Sequence, residues 1–259
     1  MDLGIASRNA IVCASSRGLG RACAVELARA GCRVVINGRD GERLEEVRRE
    51  IVEATGAEVV AVAADVSTLE GREALLAALP TVDILVNNNG GPRPRDWQQL
   101  LPGDIVAGLE ANMIAPIALI QAALDGMVER RFGRIVNITS GSVKMPMAGL
   151  ELSSGARAGL TGFVAGVARS VAHANVTINN LLPGQFDTDR IASLIETQSK
   201  PSGLDEEEVL RDRQRKIPAA RFGDPAEFGA ACAFLCSAQA GYITGQSLLI
   251  DGGAFPGIM

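Results

Sequence analysis

Short, mostly apolar runs alternate along this chain with longer stretches whose apolar residues recur at helical spacing. The runs fall at residues 10–13, 32–37, 58–62, 83–86, 134–138, 176–179 and 247–250. Runs apolar on both faces predict strands buried between two layers, as in a parallel sheet. Between them, Leu44, Val47 and Ile51 mark one face of a helix that Asp40 can cap. Ser67 and Glu70 form a capping-box pattern ahead of a short helix ending near Leu79. A long apolar helix is predicted over 103–130 and a second over about 153–172. The second carries many small residues (Gly155, Ala156, Ala158, Gly159, Gly162, Ala165, Gly166, Ala168), which suit close helix packing and subunit contact.

Residues 9–30 organise the rest. The first strand runs into Ser15, Ser16, Arg17, Gly18, Leu19 and Gly20, and then into a helix face of Ala22, Val25, Leu27 and Ala28. Strand, glycine turn and helix in that order bring backbone N–H groups and a positive helix end to one point, which suits the phosphates of a dinucleotide. Strands alternating with helices then predict an α/β fold. It is a single-domain, Rossmann-type doubly wound parallel sheet of about seven strands, with helices on both faces and ligand sites at the carboxyl ends of the strands. No linker or composition break divides residues 1–259.

Composition narrows the partners. A net charge of -5 and no basic stripe argue against nucleic acid. No uninterrupted apolar run reaches the roughly 18 residues that span a bilayer, and the N-terminus lacks a secretory pattern, so a cytoplasmic protein is expected. Five cysteines without a CxxC, and His173 as the single histidine, leave little for a metal site. Buried thiols in a reducing compartment are the expectation.

Several further motifs follow in order: Asp65-Val66, Asn87-Asn88-Asn89-Gly90, Asn112, Ser140, Leu182-Pro183-Gly184 with Thr188, Arg221 to Pro225, and Ile243 to Gln246 leading to Asp251-Gly252-Gly253. With the glycine turn, this order resembles the short-chain dehydrogenase/reductase family, in particular its 3-oxoacyl-carrier-protein-reductase-like branch. The resemblance implies a nicotinamide dinucleotide held by the glycine turn, by Asp65 and Val66 at the adenine, by Asn88, Asn89 and Gly90, and by Pro183, Gly184 and Thr188. It also implies catalytic roles for Asn112 and Ser140, a substrate lid over about 185–216, and a homotetramer, or at least a homodimer, built on the two long helices.

The chain departs from the family at one place. Where the family has Tyr-x-x-x-Lys, this sequence has Ser153 and Arg157. Serine is a far weaker acid than tyrosine, and arginine stays protonated, so this pair stabilises a developing anion better than it donates a proton. Lys144 and Glu151 are candidates for a replacement donor or are plain loop residues; Arg93 and Arg95 grip an anionic substrate or are solvated. His173 reads as a helix-end residue. For the cofactor, Asn37-Gly38-Arg39 offers no acid at the position that would bind a ribose 2′-hydroxyl, whereas Arg39 and Arg17 suit a 2′-phosphate, so NADP(H) is expected. Asp40 falls one position late and reads as a cap. The leading expectation is an NADP(H)-dependent oxidoreductase acting on a small carbonyl, imine or activated unsaturated compound. A nucleotide-binding protein without turnover, and a cofactor-assisted lyase or isomerase, are the alternatives.

Overall fold

The structure is a computed structural model and describes residues 2–203 and 205–258. Its elements run β1 (Asn9–Val12), α1 (Gly18–Arg29), β2 (Arg33–Gly38), α2 (Gly41–Thr55), β3 (Val59–Ala63), α3 (Leu69–Ala77) and β4 (Ile84–Asn87). After these come α4 (Pro102–Leu109), α5 (Ala115–Glu129), β5 (Gly133–Ile138), α6 (Glu151–Val171) and β6 (Val176–Pro183). The chain ends with α7 (Asp189–Ser202), α8 (Glu206–Arg215), α9 (Pro225–Cys236) and β7 (Ser247–Ile250).

The strands form one seven-stranded sheet in the order β3-β2-β1-β4-β5-β6-β7, and every pairing is parallel. Alternate strand residues face opposite layers. Ala10 and Val12 pack with Leu27 of α1, Leu44 and Ile51 of α2, and Phe228 of α9. Ile11 packs on the other face with Leu75 of α3, Leu119 and Met127 of α5, and Leu160 of α6. The strand order reverses direction between β1 and β4, and in such sheets the crevice at that point, beyond the carboxyl ends, is where ligands bind.

Most strands lie within one residue of the sequence expectation, and β6 is the exception. It continues four residues past Asn179, because Asn180 is a rung of a buried side-chain ladder rather than a strand end. Asn87 Nδ2 donates to Asn137 Oδ1 (2.9 Å), Asn137 Nδ2 to Asn180 Oδ1 (3.1 Å), and Asn180 Nδ2 to Ser247 Oγ (3.1 Å), crossing four strands. The expected Ser67 cap is corrected by one position. Thr68 caps α3, its hydroxyl accepting from the Gly71 N–H (3.0 Å), while Ser67 Oγ accepts from Asn89 Nδ2 (3.2 Å). The helix expected over 153–172 starts two residues earlier, at Glu151.

The helix expected over 103–130 is continuous from Pro102 to Glu129, but a π turn at Glu110–Ile114 joins α4 to α5. By length and composition it is apolar enough to cross a bilayer, which the count of uninterrupted apolar residues did not reveal. In the fold its α5 part buries Pro116, Leu119, Ile120 and Met127 against the sheet. On the small-residue face of α6, Ala156 and Ala168 are buried and Gly159 lies against Met113, while Gly155, Gly162 and Gly166 face open space. In the stretch expected as a lid, α7 and α8 pack on a small apolar cluster of their own, Ile191, Ile195, Val209, Ile217 and Phe222; residue 204 lies outside the described residues.

Candidate active site

The glycine turn is built by two left-handed residues, Ala14 (φ 44°) and Gly18 (φ 55°). Gly20 lets α1 pass tightly over the turn: a Cβ there would lie 2.7 Å from Asn88 Nδ2 and closer still to the Ala14 carbonyl oxygen. The N-cap, Arg17, is extended and exposed and makes no side-chain cap, and no acidic residue occupies the first turn of α1. The amides of that turn are therefore free to receive an anion. Leu19 packs its side chain on the core, and Ser16 sits beside Gly38.

Ser15 is placed differently from the expectation. Its hydroxyl donates to the Val12 carbonyl (2.8 Å) and accepts from the Asn37 N–H (2.9 Å), and its own N–H donates to the Asn37 carbonyl (2.7 Å). It faces inward and holds the turn rather than a ligand. Its partner Asn37 has no site role in the motif pattern, and the one local signal for it is a polar residue near the end of the apolar run of β2. Asn37 is 2% exposed; its Oδ1 accepts from the Ala14 N–H (3.2 Å) and its Nδ2 donates to the Val62 and Ala64 carbonyls (3.1 and 3.0 Å). One side chain thus ties the phosphate turn to β3.

Beyond β2, Arg39 is 82% exposed and lies 3.9 Å from the Asp65 carboxylate. Asp65 accepts from the Ser67 N–H (2.9 Å), and Val66 is buried in the core. Asp40 caps α2, accepting from the Arg43 N–H (3.1 Å). After β4, Asn88 Nδ2 donates to the Ala14 carbonyl (3.1 Å), and Asn89 Oδ1 accepts from the Gly90 N–H (2.8 Å). The Asn89 amide nitrogen reaches the Ala111 carbonyl (3.3 Å). Gly184 is pressed against Asp251, and the Thr188 methyl lies 3.8 Å from where a Gly18 Cβ would stand.

Asn112 sits in the π turn and is 3% exposed. Its Nδ2 donates to the Gly108 carbonyl (3.3 Å), while its Oδ1 is buried without a partner. It lines a small cavity with Cys13, Asn88, Asn89, Ile138 and Arg157. Arg157 is the most unusual residue of the site: it is 7% exposed and donates to the carbonyls of Ile138 (2.7 Å) and Asn89 (3.3 Å) and to Ser153 Oγ (3.3 Å). Burial, then the nearby charge of Arg190, bring its pKa down to about 10. Ser153 is 6% exposed, and Ser140 Oγ accepts from the Ser142 N–H (3.1 Å) and hydroxyl (2.9 Å). Beside Ser153 lies Gly91, where a Cβ would stand 3.5 Å from Ser153 Oγ and 3.2 Å from Arg190 Nη1. Arg190, in the first turn of α7, also went unnoticed in the sequence, because nothing local links it to Gly91.

The other candidates stand in surroundings of their own. Glu151 is exposed and accepts from the Gly149 N–H (3.2 Å), Arg95 pairs with Asp104 (2.7 Å), and Arg93 is exposed. Lys144, half-buried, ends the short 3₁₀ turn after Ser140. His173 is exposed just before the start of β6, at the amino end of that strand and away from the carboxyl ends. All five cysteines are free and buried, and burial pushes the Cys13 thiol up to about 12, so it is no nucleophile. Among the described residues no three His, Cys, Asp or Glu side chains form a metal site.

An anion-receiving helix end on one side of a topological switch, and hydroxyls beside a buried cation on the other, define a dinucleotide-dependent site of the short-chain type. The chain belongs to the short-chain dehydrogenase/reductase family: residues 13–254 match the family model described as Enoyl-(Acyl carrier protein) reductase. It is 34% identical over 260 residues to the 3-oxoacyl-[acyl-carrier-protein] reductase FabG of Aquifex aeolicus, covering 98% of this chain and 100% of that one. It is 31% identical over 259 residues to the NADPH-dependent reductase BacG of Bacillus subtilis, again covering 98% and 100%. Among solved structures it resembles L-sorbose reductase from Gluconobacter frateurii complexed with NADPH and L-sorbose (TM-score 0.95, 29% identity, all of both chains). It also resembles YwfH, an NADPH-dependent reductase involved in bacilysin biosynthesis (TM-score 0.91, 31% identity, 98% and 100% covered).

Proposed function

We infer that this chain is an NADP(H)-dependent oxidoreductase that moves a hydride to or from a small carbonyl, imine or activated unsaturated compound. The observation that carries this reading is the uncapped first turn of α1, facing the crevice whose other wall holds buried Arg157. NADPH-dependent relatives and neighbours support the cofactor, as do the exposed side chains of Arg39 and Arg17, with Asp40 engaged as the cap of α2.

When bound, NADPH supplies the hydride with its electron pair; the remaining work falls to side chains. Ser16, Gly18, Leu19 and Gly20 present backbone to the phosphates, and Arg17 and Arg39 flank the 2′-phosphate. Asp65 and Val66 border the adenine, while Asn88, Asn89 and Gly90 form the wall, and Pro183, Gly184 and Thr188 close the nicotinamide end. Ser140 and Ser153 hydrogen-bond the substrate oxygen. Arg157 holds the nicotinamide ribose and adds a positive field, and Asn112 orders water through its unpartnered Oδ1. Since no tyrosine stands here to protonate an alkoxide, simple ketones are poor substrates.

The chain works in the cytoplasm, where its five buried free thiols stay reduced. It assembles as a homotetramer through the α4–α5 and α6 faces, where Ile105, Val106, Ile114 and Phe163 are exposed. The test follows NADPH absorbance across ketones, imines and enones, with Arg39→Ala as a control. Turnover on imines or enones, and weakened NADPH binding in Arg39→Ala, is expected. Cofactor binding without turnover on any compound overturns the enzymatic reading, and unchanged NADPH affinity in Arg39→Ala overturns the role of Arg39.

A further inference from the structure

The catalytic end of the crevice holds two guanidiniums and, among the described residues, no carboxylate paired with either. Arg157 is held by two backbone carbonyls and one hydroxyl. A buried cation left with neutral partners is costly, and an incoming anion relieves that cost. Arg190 reaches over the same hydroxyl from α7, its Nη1 and Nη2 lying 3.2 and 3.4 Å from where a Gly91 Cβ would stand, with Ser153 Oγ 3.5 Å from that point. Two acids of this region are engaged elsewhere: Asp104 pairs with Arg95, and Glu151 takes the Gly149 amide. Burial first, and then the charge of Arg190, lower the pKa of Arg157.

We propose that the substrate carries a carboxylate next to its reacting group, held by Arg190 and Ser153 where both converge beside Gly91. Arg190 makes the direct contact, in the bidentate geometry that guanidinium and carboxylate share. Arg157, behind Ser153, adds charge without needing to move. The place lies at the Ser153 end of the crevice, not at the α1 turn that receives the cofactor's phosphates. A cation here also serves the chemistry, because a carboxylate neutralised by Arg190 no longer opposes the arriving hydride. Gly91, without a side chain, is what lets the Arg190 guanidinium come this close to Ser153.

This substrate class rests on the hydride-transfer reading above, so the test separates the two. Benzoylformate and pyruvate, each beside its methyl ester, are titrated calorimetrically into NADP⁺-loaded protein, in which an oxo acid is bound but not reduced. Acids are expected to bind about 10- to 100-fold tighter than esters in the wild type, the scale of a hydrogen bond to a charged group. Arg190→Gln is expected to abolish that preference and Arg190→Lys to restore part of it. Equal binding of acid and ester, or a preference that survives Arg190→Gln, overturns the carboxylate site and leaves the redox assignment standing. Failure of the wild-type protein to bind NADP⁺ overturns the assignment, and this proposal with it.

Discussion

Asn37 offers the sharpest test of how the cofactor turn is held. Asn37→Ala removes three side-chain hydrogen bonds, from the Ala14 N–H and to the Val62 and Ala64 carbonyls, at a position 2% exposed. Each bond contributes about 1 kcal/mol net, and more when its partner is left dry, so the loss is about 3 kcal/mol. In a chain of this size that lowers the melting temperature by about 6–12 °C. The bonds that Ser15 makes to the backbone of residue 37 survive, so the strand persists while the turn loosens. NADPH affinity, read by fluorescence titration, is expected to fall about tenfold as the Ala14 amide loses its anchor. Asn37→Asp is expected to be at least as damaging, because a carboxylate only accepts and would face two carbonyl oxygens. A melting temperature within about 2 °C of wild type, with unchanged NADPH affinity, would refute this account of the turn.

Other expectations follow from the site and its surroundings. Pairing Ser153→Tyr with Arg157→Lys supplies a positioned acid, so ketone reduction should rise by about 10²–10⁴ in steady-state assays; no gain over an already brisk wild type would sink the reading of the site. Sedimentation at micromolar concentration should find a tetramer; a dimer would leave one of the two helix faces unexplained. Arg221, together with the Asp224 N–H, holds the Glu227 carboxyl down to about 2 from its ordinary 4.5. Because the folded value lies below the unfolded one, the stabilisation is complete above about 4.5 and disappears as the pH falls toward 2. Glu227→Gln should therefore lower stability at neutral pH and flatten its acid limb, measured by denaturant unfolding across that range.

How much of this was legible depends on whether the signal was local. The apolar runs that became β1 to β5 and β7 were readable because each is short and nearly continuous; β1, β2, β4 and β5 are buried almost throughout, while the edge strands β3 and β7 are only partly covered. The same rule cut β6 short at Asn179, since the meaning of Asn180 lies in Asn137 and Ser247, each more than forty residues away. Ser67 and Thr68 are both competent caps, and only the path of the chain chooses Thr68. Helix α9 escaped periodicity because it is small or apolar on nearly every side, with Phe228, Gly229, Cys232, Ala233 and Cys236 all buried. The candidate site was readable as an ordered set of motifs, with Ser153 and Arg157 where the family has its tyrosine and lysine. The inward turn of Ser15 and the approach of Arg190 to Gly91 were not, since each depends on a contact across the crevice.

The π turn at Glu110–Ile114 sets a constraint on how this helix can vary. A π turn holds one residue more than an α turn, and each helical residue advances the next by about 100°. Deleting one residue there would let the backbone relax to a regular helix, with two outcomes. If α5 kept its seat on the sheet, Asn112 would swing out of the cavity; if Asn112 stayed, Leu119, Ile120 and Met127 would rotate off the core. The chain can have an unbroken α-helix or a placed asparagine, but not both. Length changes between α4 and the sheet are therefore expected to be tolerated before Glu110, in the loop that carries Arg93 and Arg95, and forbidden after it.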